Sequence, residues 1–467
     1  MAPAAPETTA DTFGWDTVFA LRVDDVNKAI ISGKSTPTTF SQSVNNGEVV
    51  ASGTFTDWQI CMGGDGKLLH LALPISSGQL DVPSYGTSTT FTDVTAIIEV
   101  ELAYFESVGT LPTAGSTGTF HDLKINTAND TVKVLTVNYN APTTDFTVKS
   151  QLPGALAAWL NAHLSVFDHI FATINLNRVA DTGSFQWLFP TDSYYAYSDR
   201  ATVEESLLAV LCMTNGNDAK KCVPEVTVNA IPTGARAGFL INPARFFQYM
   251  VLPNMPHAFP GAQTTDFTLD ADGQGLTMTN ADGLGVTTTD DTGKTYSTTI
   301  TLLTIAVVGT TVVMNSACHT NISPGLNAYS TSTHTYNIGL VKTPNGKETL
   351  GFNAVGDPVV NHWTTQSTGL EILQWMEVAV GVVATLVLGV MTAGAGFIVG
   401  AIIIGALVGL ATQAPSMVAA IGQDDAPDLS LLAFNTTDPI GWSDTKNFDL
   451  TSATLNGSLQ LGGNYTA

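Results

Sequence analysis

Residues 152–171, LPGALAAWLNAHLSVFDHIF, decide the fold class of this chain. Pro153 stands where a first helical position is expected, and the residues after it recur with helical spacing. Five apolar side chains at steps of four and three share one face of this predicted helix: Leu156, Leu160, Leu164, Phe167 and Phe171. Asn161 and Asp168 mark the opposite face as hydrated. The apolar face must therefore be buried against another element.

Strand-like patterns surround this helix on both sides. Over residues 98–104, apolar residues alternate with Glu99 and Glu101, which is typical of a strand with one hydrated face. Near the C-terminal end, Asn456 and Gly457 predict the turn of a hairpin that we expect at the closing edge of the sheet. A β-rich chain with one long apolar helix predicts an α+β fold, in which a long curved antiparallel β-sheet wraps around a long amphipathic helix.

Another helix is predicted near the N-terminus. Asp16 is a candidate for its cap, and Gly33 predicts its end. The apolar residues between them fall into a narrow seam: Phe19, Val23, Val26 and Ile30. We expect the helix to pack by that seam.

The composition is that of an acidic globular protein. Of 467 residues, 44% are hydrophobic and 12% are charged, which is enough apolar material for one large core or several ordinary ones. The formal net charge of −23 repels phosphate backbones and anionic lipid head groups, so we expect no nucleic acid partner. Any membrane contact is expected through apolar side chains or a local basic patch.

Residues 1–11 lack the basic and apolar regions of a classical signal peptide. We therefore expect a flexible N-terminus, synthesis in the cytoplasm, and a non-classical route for any release. Four scattered cysteines are too few for a disulfide framework or a zinc site. Cys212 and Cys222 flank a turn-like segment, where they could face each other across a hairpin but would remain thiols in a reducing compartment.

The sequence contains no motif for catalysis, a cofactor or a metal. His163 and His169 are six residues apart on the predicted helix, so they lie on different faces and cannot chelate one metal together. Glu99 and Glu101 share a strand face, but without a third polar partner a solvated face is favoured over acid–base chemistry. We therefore expect a protein that is not an enzyme and that has no catalytic residues, cofactor or metal.

Several short stretches resemble one protein family in their order and spacing. They are FGWDTVF (13–19), FDHIFA (167–172), WLFP (187–190), YAY (195–197), ESLLAVLCMT (205–214), NPARFF (242–247), LP (252–253) and LNGSLQ (455–460). Together they resemble the clostridial forty-seven-kilodalton protein and its orf-X relatives over almost the whole chain. The resemblance implies a tubular lipid-binding (TULIP-like) fold. Members of this family are encoded beside botulinum-type neurotoxin genes or in insecticidal clusters.

The resemblance implies a single elongated TULIP-like domain over residues 12–467. A groove between sheet and helix could then hold the acyl chain of a lipid or fatty acid. The candidates for the floor of this groove are Leu156, Leu160, Leu164, Phe167 and Phe171. The same side chains could instead fill a closed core, because a stripe at helical spacing is core more often than a ligand site. The sequence leaves both alternatives open.

No side chain is charged between Glu377 and Asp424. Small residues at 392–396 divide this apolar run into two arms, each too short to cross a bilayer, which predicts an apolar helical hairpin within 370–422. Three interpretations stay open: a buried core hairpin, a hairpin that inserts in a membrane on a trigger, and a transmembrane anchor. The resemblance favours the first, so we do not expect an integral membrane protein. Under the second, the membrane-contact candidates are Phe397, Ile398, Ile402, Ile403 and Leu407.

The resemblance therefore predicts a non-enzymatic lipid-binding protein of the orf-X type, an accessory of a toxin gene cluster. One alternative is a protein-interaction subunit that assembles with other orf-X-type proteins or with a toxin. The other is a pH-triggered membrane-inserting protein.

The triggered hairpin predicts membrane binding that depends on pH. Protonation of carboxylates as the pH falls from 7 to about 4.5 removes the repulsion from anionic bilayers and part of the native stability, so flotation with anionic vesicles should increase. A charge in the inserting segment, as in Gly400→Asp or Ile403→Asp, should suppress this increase. Circular dichroism serves as the folding control. Equally poor flotation at both pH values, with the fold retained, would leave the hairpin a structural role only.

Overall fold

The computed structural model describes residues 9–107, 119–127, 132–141, 144–176, 185–259, 261–289, 295–342, 348–356, 359–364, 440–442 and 447–466. The predicted hairpin within 370–422 lies outside these residues, together with its membrane-contact candidates Phe397, Ile398, Ile402, Ile403 and Leu407. In the part of the chain that is described, no helix is both long enough and apolar enough to cross a membrane.

Antiparallel strands make up most of the described chain, and the helices are few, which confirms the predicted β-rich architecture with a large antiparallel sheet. The strands are β1 (Thr17–Arg22), β2 (Thr39–Val44), β3 (Val49–Phe55), β4 (Gln59–Gly66), β5 (Leu68–Val82), β6 (Thr87–Ser107), β7 (Thr119–Ile125), β8 (Lys133–Tyr139), β9 (Ala172–Leu176), β10 (Pro190–Ser198), β11 (Leu207–Thr214), β12 (Ala237–Ile241), β13 (Phe267–Leu269), β14 (Gly275–Met278), β15 (Leu284–Thr289), β16 (Thr295–Val308), β17 (Thr311–Ser323), β18 (Leu326–Lys342), β19 (Glu348–Ala354), β20 (Val359–Thr364), β21 (Ile440–Trp442), β22 (Asn447–Asn456) and β23 (Ser458–Thr466). The α-helices of the described residues are α1 (Val23–Gly33), α2 (Phe146–Ala162), α3 (Pro243–Phe246) and α4 (Met255–Ala258), and a short π-helix, Phe247–Val251, continues α3.

Strand pairing gives the sheet one main antiparallel path, from which other strands branch, among them β7, β9 and β21 beyond β6. At one end, β2, β3, β5 and β6 lie side by side, with β8 beyond β6. β4 pairs with both β5 and β10, and the path then runs β10–β11–β1–β12–β23–β22. β22 meets β18, which belongs to the meander β16–β17–β18. The first strand of the chain thus lies in the middle of the path.

The hairpin near the C-terminal end turns at Asn456 and Gly457 as predicted, with Gly457 at φ +76°. Its predicted place at the closing edge of the sheet is wrong. β23 pairs with β12 on one side and with β22 on the other. Its consecutive residues Ser458 and Leu459, whose side chains point to opposite faces of the sheet, are both buried. The sequence of this hairpin predicted its turn but not the strands that pair with it.

β1 and β11 are buried on both faces. Phe19 and Val210 face the main core, whereas Val18 and Leu211 face a second, smaller apolar cluster. Strands covered on both faces give a continuous apolar run rather than an alternating one. Cys212 belongs to the first cluster and Cys222 packs against the second, so the two thiols do not face each other, and all four cysteines are free.

Helix α2 starts and ends earlier than the predicted range 152–171. Asp145 caps it by accepting a hydrogen bond from the Thr147 amide at 2.7 Å, so Pro153 lies inside the helix rather than at its start. A proline inside a helix leaves the carbonyl four residues earlier without its usual amide donor. That carbonyl belongs to Lys149, and it accepts a hydrogen bond from the Tyr139 hydroxyl at 3.3 Å. A strand residue therefore compensates for the proline.

Side chains also end α2. The His163 Nδ1 donates to the Trp159 carbonyl at 2.9 Å, and the Asn161 amide donates to the Ala157 carbonyl at 2.7 Å. These side-chain bonds reinforce the last turn, where the Trp159 carbonyl also accepts from the His163 backbone amide at 2.9 Å. The chain then passes through a 3₁₀ turn, Leu164–Val166. Leu164, Phe167 and Phe171 consequently lie beyond α2, and the predicted single helical stripe is wrong.

The body of α2 packs against β2, β3, β6 and β8. The Trp159 ring contacts Phe40 and Phe55, with centroid distances of 6.1 and 5.5 Å. One cross-strand row of the sheet here contains Phe40, Gly53, Gly78 and Phe91. A Cβ atom at either glycine would collide with the neighbouring ring, so the glycines make room for aromatic side chains of the core.

The predicted N-terminal helix is half right. Its second half is α1, which ends at Gly33 as expected, but its first half is the strand β1. Asp16 is therefore not a cap. Its buried carboxylate instead accepts hydrogen bonds from the Thr214 amide at 2.9 Å, the Asn217 amide group at 2.7 Å and the Arg245 guanidinium at 2.6 Å. It joins the start of β1 to the end of β11 and to α3.

Asp16→Ala should destabilise the whole fold. The substitution leaves Arg245 partly buried without its partner and the Thr214 amide without an acceptor, so we expect the free energy of unfolding to fall by about 3 to 5 kcal/mol. Urea unfolding followed by tryptophan fluorescence measures the change. The matched control is Lys220→Ala, which removes an exposed ion pair with Asp218 and should leave the transition unchanged. Coincident transitions for both variants would contradict this role of Asp16.

Candidate functional site

The five candidates for a groove floor are all buried in the main core: Leu156, Leu160, Leu164, Phe167 and Phe171. Two of them lie on α2 and three beyond it. Phe167 contacts Trp58 with a ring-centroid distance of 3.7 Å. This environment agrees with the closed-core alternative, and ligand contact by these side chains stays a prediction.

An open cleft of about 990 Å³ lies beside α2. Its walls come from the loop after α1, from β2, β3, β5 and β6, and from the end of α2 with the residues that follow. None of the five groove-floor candidates lines it. The lining residues are Lys34, Ser35, Thr36, Pro37, Thr38, Thr39, Phe40, Ser41, Ser52, Gly53, Thr54, Ser77, Gly78, Gln79, Thr90, Trp159, His163, Val166 and Asp168.

Strand register produces the polar part of this cleft. Ser41, Ser52, Gln79 and Thr90 are cross-strand neighbours in one row. A second row, two residues away on each strand, contains Thr39, Thr54 and Ser77. Because side chains alternate along a strand, both rows lie on the face opposite the buried ring of Phe40. The result is a small lattice of hydroxyl and amide groups.

Two helix ends form the other wall of the cleft. Lys34 is the C-cap of α1, in the left-handed region at φ 48°, and His163 is the C-cap of α2. Ser35 Oγ lies 2.6 Å from Nδ1 of the buried His169, which ties the loop after α1 to the segment after α2. Carbonyl groups at helix C-termini carry partial negative charge. This side of the cleft therefore disfavours anions.

The register also assembles a row that the sequence did not predict. Cys61, His70, Glu99 and Lys133 are cross-strand neighbours on β4, β5, β6 and β8. Glu99 accepts a hydrogen bond from Lys133 at 2.8 Å, and its other oxygen lies 3.6 Å from His70 Nε2. Glu99 therefore has two polar partners, His70 and Lys133, that its own strand pattern did not indicate. The Lys133 hydrogen bond is the main cause that holds the pKa of Glu99 below its ordinary value.

Cysteine, histidine and a carboxylate in one row are the residue types of a thiol nucleophile site. Burial, aided by the charge of Asp199, raises the pKa of the Cys61 thiol to about 11. An active thiol nucleophile requires the opposite shift, because only the thiolate reacts. The row therefore has the residue types of a thiol nucleophile site but not the lowered thiol pKa that such a site needs. Among the described residues, no group of three or more His, Cys, Asp or Glu side chains is placed to hold a metal ion.

Cys61 should accordingly react slowly with iodoacetamide. A pKa near 11 in place of 9.0 lowers the thiolate fraction at pH 8 about hundredfold, so alkylation in the native protein should be slower than in the urea-unfolded protein by at least that factor. Peptide mass spectrometry at timed intervals gives the rate for Cys61 separately from the other cysteines. A native rate equal to or above the unfolded rate would restore Cys61 as a candidate nucleophile.

An uncharged surface lies at the other end of the path. No Asp, Glu, Lys or Arg occurs from Thr295 to Val341, nor in β20. The outward side chains of β17, β18 and β20 form three cross-strand rows, which we call the uncharged face: Asn315, Thr333 and Val359; Ala317, Thr331 and Asn361; His319, Tyr329 and Trp363. Val359 and Trp363 are 64% and 48% exposed. The Trp363 ring stacks on Tyr329 at a centroid distance of 5.6 Å.

The fold defines a β-rich protein built on one large antiparallel sheet with few helices. The chain belongs to the OrfX-like family, Protein OrfX2/OrfX3/P47, whose family model matches residues 12–463. This confirms the resemblance noted in the sequence. The chain is 28% identical to Protein OrfX3 of Paraclostridium bifermentans and 27% identical to Protein OrfX3 of Clostridium botulinum (strain Kyoto / Type A2), with 97% of this chain and 98% of each relative covered.

A solved structure has the same fold. P47 from Clostridium botulinum A2 superposes with a TM-score of 0.67 over 98% of this chain and 99% of its own, at 16% sequence identity. At that identity the likeness concerns the fold alone.

Proposed function

We propose that this chain is a non-enzymatic lipid-binding protein with a TULIP-like architecture, which acts as an accessory of a toxin gene cluster. We propose further that it meets lipid surfaces through the uncharged face. The observation that carries the proposal is the exposure of Trp363 and Val359 on a face without charge, in a chain whose net charge is −23.

Electrostatics favour this face over the rest of the surface. An acidic protein is repelled by anionic bilayers and gains nothing by Coulomb attraction from neutral ones. Charged side chains also lose hydration when they approach a bilayer, which costs free energy for each charge. The three rows of the uncharged face contain no Asp, Glu, Lys or Arg side chain, and their Asn and Thr side chains can hydrogen-bond to head groups.

Side-chain chemistry supports the same contact. Tryptophan and tyrosine are enriched where one part of a ring meets an apolar phase and another part meets water. Tyr329 and Trp363 stack on neighbouring strands, and Val359 lies on the same strand as Trp363. Thr333 donates to Asn315 at 2.8 Å, which orients the polar groups beside them. The face therefore combines exposed apolar groups with a neutral polar surround.

The proposal predicts that a new charge on this face weakens binding to neutral vesicles. Asn361→Asp keeps the size of the side chain and adds one charge, so flotation with phosphatidylcholine vesicles should fall about three- to tenfold, and Asn361→Lys should have the same effect. The matched control is Asn46→Asp, at an exposed turn whose left-handed backbone aspartate tolerates. It adds the same charge elsewhere and should leave flotation unchanged.

The outcomes separate this function from its alternative. Equal flotation of Asn361→Asp and Asn46→Asp would contradict lipid contact through the uncharged face. If that result came with loss of binding to a purified orf-X-type protein, the face would serve the protein-interaction role instead.

A further inference from the structure

We propose that the cleft beside α2 binds a neutral polyhydroxylated group, such as a sugar unit. This site is separate from the uncharged face and does not depend on the proposed lipid contact. The cleft volume of about 990 Å³ falls within the range of small-molecule sites.

The first argument is the chemistry of the lining. Nine of the nineteen lining residues are serine or threonine, and Gln79 and His163 add further polar groups. Each hydroxyl is both a donor and an acceptor, which matches ligand hydroxyls that are also both. Apolar lining is limited to a few side chains, among them Phe40 and Trp159, so the cleft offers an acyl chain little surface.

The second argument is charge. Lys34 and Asp168 are the charged residues of the lining, and they have opposite signs. Phosphate and carboxylate sites use arginine or lysine clusters or the N-termini of helices. The cleft instead meets α1 and α2 at their C-terminal ends, where the partial charge is negative. A neutral ligand is therefore favoured over an anionic one.

The third argument is the orientation of His163. Its Nδ1 donates to the Trp159 carbonyl at 2.9 Å, and its ring stacks on the Trp159 ring at a centroid distance of 5.1 Å and an angle of 16°. In the neutral imidazole, the proton on Nδ1 leaves Nε2 as an acceptor. The stacked pair thus adds an acceptor nitrogen and an aromatic ring to the lining of the cleft.

Regular strand geometry sets the spacing of that lattice. Neighbouring strands lie about 4.8 Å apart, and alternate residues along one strand lie about 6.8 Å apart. Ser41, Ser52, Gln79 and Thr90 follow the first spacing, and Thr54 and Ser52 follow the second. Several hydroxyls of one ring, or of two linked rings, can therefore be contacted at once.

The test uses the full chain and a double variant, Thr54→Val with Thr90→Val. Both threonines are exposed lining residues, and valine keeps their shape and strand preference while removing the hydroxyl. Wild-type protein is screened on an array of neutral and anionic oligosaccharides, and the best neutral binder is titrated by calorimetry. Loss of two hydrogen bonds should weaken its binding about tenfold. The matched control is Thr92→Val, an exposed β6 residue outside the lining, which should change binding less than about twofold.

Two further arms identify the ligand source. The same sugar is presented free and on a neutral glycolipid in phosphatidylcholine vesicles, and inositol hexakisphosphate serves as the anionic probe. Weakened binding of either sugar form by the double variant, but not by Thr92→Val, supports the site and shows its source. The proposal is overturned if no neutral sugar binds folded wild-type protein at millimolar concentration. It is also overturned if inositol hexakisphosphate binds more tightly and is the ligand that the double variant loses.

Flotation with plain phosphatidylcholine vesicles is measured on the same variants. Because Thr54 and Thr90 lie far along the strand path from the uncharged face, their substitution should leave that flotation unchanged. A failure of sugar binding and a failure of lipid contact are thus observed in different assays.

Discussion

The rest of the structure depends on the insertion of β1 between β11 and β12. A strand in this position has both its edges hydrogen-bonded and both its faces covered, so it belongs to two apolar clusters at once. The buried carboxylate of Asp16 fixes the start of β1 to the end of β11 and to α3. The backbone hydrogen bonds of these elements therefore form only when residues distant in sequence are correctly placed. The cleft and the uncharged face lie on either side of this central part of the path.

The sequence predicted elements better than it predicted their limits. The existence of α2 followed from the spacing of Leu156 and Leu160, but its start depends on Asp145 and its continuity through Pro153 depends on Tyr139. The Tyr139 contact is tertiary and leaves no periodic pattern. β1 was mistaken for helix because strands buried on both faces lack alternation, and its apolar run then merges with the true seam of α1.

The candidate sites also differ in whether the sequence alone could have predicted them. The uncharged face could have been found from the sequence, since the absence of charge from Thr295 to Val341 is visible there as plainly as that between Glu377 and Asp424. The cleft could not, because Ser41, Gln79 and Thr90 become neighbours only through the pairing of four strands. The row of Cys61, His70, Glu99 and Lys133 likewise exists only because four strands pair. Its residue types suggest thiol chemistry, but burial raises the pKa of the Cys61 thiol and so opposes that chemistry.

The central position of β1 also bears on biosynthesis. The ribosome releases residues 17–22 early, whereas their partners at 207–214 and 237–241 emerge only after the β2–β9 region has been made. In the interval the nascent chain presents an apolar strand with two open edges, which is the kind of segment that associates with other chains. Pairing so distant in sequence is also slow to form. A product truncated before residue 207 lacks both strands that flank β1 in the folded protein, so its first strand has no native partner on either edge.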